Sequence, residues 1–254
     1  MPTIETCQTC EGTGWVLIRQ DGTDKVSACP DCRRQSRSSQ QLQRAAIPPR
    51  YGEQGFETFS TPHPLQHRAL LRAIEFVDAF PELERGLLFI GPCGVGKTHL
   101  SVAILNAVLS RHDSRARFVD EAELLRSLQY SYGRDSGSSE EELLQPLRRA
   151  DLLVWDDLGT GRPTEWVRET IHTIINYRYT NQRITIFSSN WKLPEKTGVE
   201  SLSRQPTLTD RIGERLYSRI LEMCEIVEMK GPDFRKEVHK AGKDFQRTYK
   251  GDNS

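Results

Sequence analysis

The chain has 254 residues, 36% of them hydrophobic and 28% charged, enough for one sizeable α/β domain and a small appendage. Lys plus Arg and Asp plus Glu both number 35, so no global field draws the protein onto nucleic acid, and any such contact needs a local patch. Apolar runs such as Leu87-Leu88-Phe89-Ile90 are strand-sized, and the N-terminus lacks the apolar core of a signal peptide, so a cytoplasmic protein with no membrane partner is expected.

Four of the six cysteines form Cys7-x2-Cys10 and Cys29-x2-Cys32, with 18 residues between the pairs, the spacing of a four-thiolate Zn2+ site. Each pair offers two sulfurs to one tetrahedral ion, whose binding replaces the apolar core that so short a segment lacks. Four sulfurs leave no open position, so the expected zinc is structural rather than catalytic. The alternatives are unmetallated thiols, or disulfides in an oxidising compartment for which nothing in the sequence speaks. Between the pairs, Trp15-Val16-Leu17-Ile18 and Lys25-Val26-Ser27-Ala28 flank Asp21-Gly22, which predicts a hairpin. Cys93 and Cys224 stand alone and are expected to be packing residues.

Residues 33–46, rich in Ser, Gln and Arg, read as a partly helical linker. Ile47-Pro48-Pro49-Arg50-Tyr51 reads as an extended entry to the main domain, because proline disfavours helix before it. Leu70, Leu71, Ile74, Phe76, Val77 and Phe80 have helical spacing and predict a helix over 65–80 ended by Pro81. From Gly86 onward the pattern alternates. Strands are expected at 87–90, 117–119, 152–155, 184–187 and 225–229, and helices at 98–109, 121–132, 140–149 and 165–180. This predicts an α/β fold with a five-stranded, mainly parallel sheet covered on both faces.

Gly91-Pro92-Cys93-Gly94-Val95-Gly96-Lys97-Thr98 lies between an apolar strand and an apolar helix, the setting in which Gly-x4-Gly-Lys-Thr binds phosphate. The glycines let backbone amides curl round phosphate oxygens, and the helix that follows adds its dipole. Lys97 is expected to reach the β- and γ-phosphates of ATP, and the Thr98 hydroxyl to ligate Mg2+. Asp156 and Asp157 end a buried strand, where open α/β sheets bind ligands. Asp156 is expected to hold Mg2+ and Asp157 to polarise the attacking water, although adjacent carboxylates can also merely cap a turn. Asn190 closes the next strand, where an amide can hold that water or sense the γ-phosphate; an ordinary turn asparagine is the plainer reading.

These pieces, in order, resemble an AAA+ ATPase, and among AAA+ proteins the DnaC/DnaI-type helicase loaders and the IstB-type transposition helpers. The resemblance spans about 47–235. It rests on Ile47-Pro48-Pro49-Arg50-Tyr51, Phe56-Glu57-Thr58-Phe59, the phosphate loop and Leu152-Leu153-Val154-Trp155-Asp156-Asp157-Leu158-Gly159. Ser189-Asn190, Gly213-Glu214-Arg215-Leu216-Tyr217-Ser218-Arg219 and Gly231-Pro232-Asp233-Phe234-Arg235 complete it. It implies ATP hydrolysis with Lys97, Asp156, Asp157 and Asn190 in the site. Arg219 would be the finger that reaches a neighbouring subunit's phosphate, with Arg215 the fallback, and Arg235 would touch nucleotide. Phe56 and Phe59 would pack near adenine or against the core. It also implies no full helical lid and an ATP-dependent homo-oligomer. The implied division is a zinc-ribbon-like module at 1–36, linker and entry at 37–60, an AAA+ domain at 61–235 and a polar tail at 236–254.

The resemblance further implies single-stranded DNA as a ligand, for which Arg126, Tyr130, Tyr132, Arg134, Arg148, Arg149 and Arg162 are candidates; ordinary surface residues are the alternative. The Cys-bearing module before the ATPase is similar to that of DnaI-type loaders, where it engages the replicative helicase, and favours a helicase loader acting in DNA replication. A transposition helper on duplex DNA and a non-catalytic nucleotide-switched adaptor are the alternatives.

Overall fold

The computed structural model describes residues 7–9, 15–20, 23–29, 41–131, 140–194 and 205–236. Strands β1 (Trp15–Gln20) and β2 (Thr23–Ala28) pair antiparallel, from Trp15 opposite Ala28 to Gln20 opposite Thr23. The hairpin expected between the cysteine pairs is therefore present. Cys10 and Cys32 lie outside the described residues.

The main domain is built on β3 (Gly86–Ile90), β4 (Ala116–Asp120), β5 (Leu152–Asp156), β6 (Ile184–Ser189) and β7 (Cys224–Glu228), in the spatial order β4-β5-β6-β3-β7. Every pairing is parallel, as crossover helices between successive strands require. The three inner strands are buried at every residue, while of the edge strands β4 mixes buried and half-buried positions and β7 adds exposed ones. Strand alternation divides the core in two. Leu87, Phe89, Phe118, Val154 and Ile186 face helices α1 (Pro64–Ala79) and α2 (Lys97–Arg111). Leu88, Leu153, Trp155 and Phe187 face the opposite layer, with α3 (Glu121–Ser131), α4 (Glu140–Arg149), α5 (Glu165–Thr180), α6 (Leu208–Ile212) and α7 (Glu214–Met223).

Two expectations need correction, and two elements come in addition. Pro49–Tyr51 forms a 3-10 turn instead of an extended entry, because Pro48 alone is extended and proline is tolerated in a first helical turn. Cys93 is exposed on the phosphate loop; only Cys224 packs. The two short helices α6 and α7 were not anticipated: the five residues of α6 hold too few apolar positions for a period to register, whereas the ten of α7 carry Leu216 and Ile220 at helical spacing and were simply missed.

At the amino edge of the sheet, Arg178 of α5 is completely buried. Its guanidinium donates to the carbonyls of Leu147, Arg148 and Ala150 at the end of α4, to Ile184 O, and to Thr185 Oγ1. One side chain thus joins two helices to β6, and the carbonyl dipoles at a helix end supply the negative potential that a carboxylate would otherwise provide.

Candidate nucleotide site

The loop from Gly91 to Thr98 connects β3 to α2 at the carboxyl edge of the sheet. Gly94 and Gly96 have φ of 80° and 98°, which L side chains rarely adopt. A Cβ at Gly94 would collide with Asp233, and one at Gly96 with the Phe59 ring. The loop is enclosed from both sides. His99 stacks edge-on against Phe59, with ring centroids 5.2 Å apart. The chain after β7 returns across the loop through Met229 N to Ile90 O and Phe234 N to Gly94 O. Gln66 of α1 is buried and donates to Val95 O at 3.1 Å.

Lys97 spends its three N–H donors on Gly91 O and Pro92 O, both at 2.8 Å, and Asn190 Oδ1 at 2.6 Å. Asn190 in turn donates to Asp157 Oδ1 at 2.8 Å. The phosphate-loop lysine, the amide and the second carboxylate are therefore one connected chain. Desolvation lowers the Lys97 pKa, and the charges of Asp157, Cys93 and Asp156 oppose that shift.

Thr98 Oγ1 donates to both carboxylate oxygens of Asp156 at 3.0 Å, and Ser188 Oγ donates to Oδ1. Burial pushes the Asp156 carboxyl up to about 6, helped by the charges of Asp157 and Asp120, while the two hydroxyls hold it down. Asp120, Asp156 and Asp157 bring carboxylate oxygens within 4.8 Å of one another. With the Thr98 hydroxyl they form a hard, all-oxygen donor set that suits Mg2+. Asp157 has φ of 55° and its N–H is held by Ser188 Oγ at 2.9 Å, and its side chain accepts from Asn190 while staying within reach of Asp120 and Asp156.

These groups open into a cavity of about 320 Å³. Lys97, Thr98, Asp156, Asp157 and Asn190, predicted from spacing, all line it, as does Arg235. Tyr51 and Phe59 line its outer part, whereas Phe56 packs only against the core. Arg219 is elsewhere: its Nη1 lies 2.6 Å from His172 Nε2, and its guanidinium lies 5.6 Å from the Tyr179 ring centre. Arg215 and Arg219 are both absent from the cavity lining. Tyr132 and Arg134 lie outside the described residues, while Arg126, Tyr130 and Arg162 are exposed.

Two contributors escaped the sequence reading. Ser188 bridges both aspartates, and its signal was a hydroxyl pair, Ser188-Ser189, closing a fully buried strand. Glu121, the first residue of α3, is fully buried and accepts from Trp155 Nε1, Gly159 N and Gly161 N at 3.1, 2.9 and 2.9 Å. Arg211 takes the carbonyls of the same two glycines, at 2.8 and 2.6 Å, and lies 4.5 Å over the Trp191 ring. The turn after Asp157 is thus held from both sides, and its two holders touch β5 and the residue after Asn190. Desolvation raises the Glu121 pKa, against the three donors that lower it.

A model of the family described as IstB-like ATP binding protein matches residues 25–242. The chain is 27% identical over 202 residues to the replicative helicase loader DnaC of Escherichia coli strain K12, covering 80% of this chain and 77% of that protein. It is 31% identical over 152 residues to the replicative helicase loader DnaI of Bacillus subtilis strain 168, covering 59% and 48%. A crystal structure of the DnaC helicase loader superposes with a TM-score of 0.61 and 37% identity, covering 72% of this chain and 100% of that one.

Proposed function

The chain belongs to the IstB-like ATP-binding family, and on that premise we propose that it is an ATP-hydrolysing helicase loader, which binds single-stranded DNA and delivers a replicative helicase. The observation that carries the ATPase reading is the connected chain of Lys97, Asn190 and Asp157. A γ-phosphate draws the Lys97 ammonium off Asn190 Oδ1, and the freed amide then helps Asp157 orient water for attack. Mg2+, held by Thr98 and Asp156, supplies charge neutralisation on the phosphates. Gln54 Oε1, buried without a partner at the cavity wall, is an acceptor for the exocyclic amine of adenine, and Arg235 offers its guanidinium to phosphate.

Arg219 acts in trans in this reading, since it stands outside its own subunit's cavity. His172, whose pKa is lowered by burial and by Arg219 and Arg215, accepts from it and holds it extended until a second subunit docks. Cys7 Sγ and Cys29 Sγ lie 3.8 Å apart. That equals the edge, about 3.8 Å, of a tetrahedron of thiolates around zinc with bonds of about 2.3 Å, so a Cys7/Cys10/Cys29/Cys32 site with a helicase-gripping role is proposed for the N-terminal module. The helicase as partner is supported by the DnaC and DnaI relatives, whereas the IstB-like match favours a transposition helper as second reading.

The two readings separate in a capture experiment. The full chain is mixed with replicative helicase or with a transposase, with and without ATP. A nucleotide-sensitive complex with the helicase alone, and helicase transferred to circular single-stranded DNA, is the expected result. Stable capture of the transposase but not the helicase contradicts the loader.

A further inference from the structure

At the amino edge of the sheet, opposite the nucleotide cavity, lies a second cavity of about 390 Å³ beneath the short helical segment at 41–45. Four arginines, Arg44, Arg115, Arg117 and Arg149, line it, with Asp113 the one carboxylate among the described residues of its walls. Arg115 is neutralised by Asp151, at 2.9 Å. Asp113 accepts from Gln41 Nε2 at 2.6 Å. Arg44, Arg117 and Arg149 have no ion pair or hydrogen bond among the described residues.

Two members of this arrangement, Arg117 and Ser114, are costly without a ligand. Arg117 is half-buried on edge strand β4, so its guanidinium has lost part of its hydration, and Arg44 faces it with a like charge. The Ser114 hydroxyl, also in the wall, is buried with no partner. Three guanidiniums without a side-chain partner among the described residues, and a spare hydroxyl, line one cavity and suit a tetrahedral oxyanion, which accepts paired N–H donors from several directions. No aromatic side chain lines the cavity among the described residues, and these walls offer no platform for a stacked base. A ligand held here is read through its phosphates and not its sequence.

We propose that Arg44, Arg117 and Arg149 form a binding site for a phosphodiester of a nucleic-acid strand, separate from the ATP site. Arg117 and the nucleotide-facing Asp120 are three residues apart on β4, about 10 Å, and lie at opposite edges of the sheet. The inference rests on the proposed function only in taking nucleic acid as the source of the phosphate. The site gives an electrically neutral chain the local basic patch that its composition demands of any nucleic-acid binder.

The test is fluorescence anisotropy of a labelled oligo-dT strand with the full chain, titrated at several salt concentrations. Arg117→Gln/Arg149→Gln is compared with Arg68→Gln, an exposed arginine on α1 far from the cavity. The double variant is expected to bind roughly ten-fold more weakly. Its slope of log K against log salt should be less negative by about 1.4, two phosphate contacts at roughly 0.7 each. Arg149→Gln and Arg44→Gln alone, at exposed positions where folding is not at stake, should each give about half of that slope change. Unchanged Tm and ATP affinity verify that the variants are folded.

Oligonucleotide affinity and slope equal to the wild type in all variants would overturn the site, as would a wild-type chain that binds no strand. Inorganic phosphate is the second probe. If it raises the Tm of the wild type but not of the double variant, while strand affinity is unchanged, the cavity takes free phosphate and the nucleic-acid assignment is wrong. Helicase capture is read separately, so loss of this site leaves the loader reading standing, and the reverse.

Discussion

The two edges of the sheet handle buried charge in opposite ways. At the amino edge, Arg178 is buried with five neutral acceptors, so its charge is spent entirely on joining α4, α5 and β6. At the carboxyl edge, Asp156 is nearly as buried but is kept at about 6 by desolvation and like-charged neighbours, a strained state that a cation relieves. Glu121 stands between the two: buried and satisfied as Arg178 is, but satisfied by the turn that carries the catalytic end of β5. One kind of buried charge stabilises the fold; the other is held ready for a partner at the expense of stability.

Replacing Arg178 with Leu breaks this contrast most severely. Several buried carbonyls lose their donor together, and chemical denaturation should record a loss of about 3–5 kcal/mol. ATP affinity of the folded fraction should stay within about two-fold, since the change acts on the fold and not on the site. A loss below about 1 kcal/mol would mean that the guanidinium is not the joint described.

Asp156→Asn should act in the opposite direction. Below about pH 4 the wild-type carboxyl is neutral both folded and unfolded and costs nothing. Between about pH 4 and 6 the unfolded chain ionises first, so folding stability falls as pH rises, and above about 6 the penalty levels off near 3 kcal/mol. In Mg2+-free buffer at about pH 8 the Asn variant should therefore be more stable, by about 1–3 kcal/mol, with the gain gone at about pH 4. Mg2+ should raise the Tm of the wild type and not of the variant. A variant less stable than wild type across that range contradicts a strained carboxylate.

Glu121→Gln is the smallest and finest probe. The amide turns one acceptor into a donor facing a glycine N–H, costing about 1–2 kcal/mol. If the turn positions Asp157, kcat should drop roughly ten-fold while KM holds. An unaltered kcat would make Glu121 structural only.

What the sequence revealed follows from how each group is specified. Lys97, Thr98, Asp156, Asp157 and Asn190 follow strands whose apolar runs announce them, so order and spacing were enough to group them at one edge of the sheet. The five parallel strands were legible for the same reason. Glu121 was not, because an acid opening a helix has a local reason to be there, while its real partners lie 34 to 40 residues away. Arg178 left no mark in the sequence, since its acceptors are backbone carbonyls that only the fold brings to it, and Gly94 revealed its contact with Asp233 only through the fold. The second cavity was invisible because its arginines come from three separate segments.

The claim on which the rest depends is that Asp157, held by Asn190 beside Lys97, activates water for ATP hydrolysis. Steady-state ATP turnover of Asp157→Asn, with nucleotide affinity measured on the same preparation, tests it most directly. The account predicts turnover lower by at least about 100-fold with ATP binding within about three-fold of the wild type. Turnover within about two-fold of the wild type, at equal affinity, would contradict it.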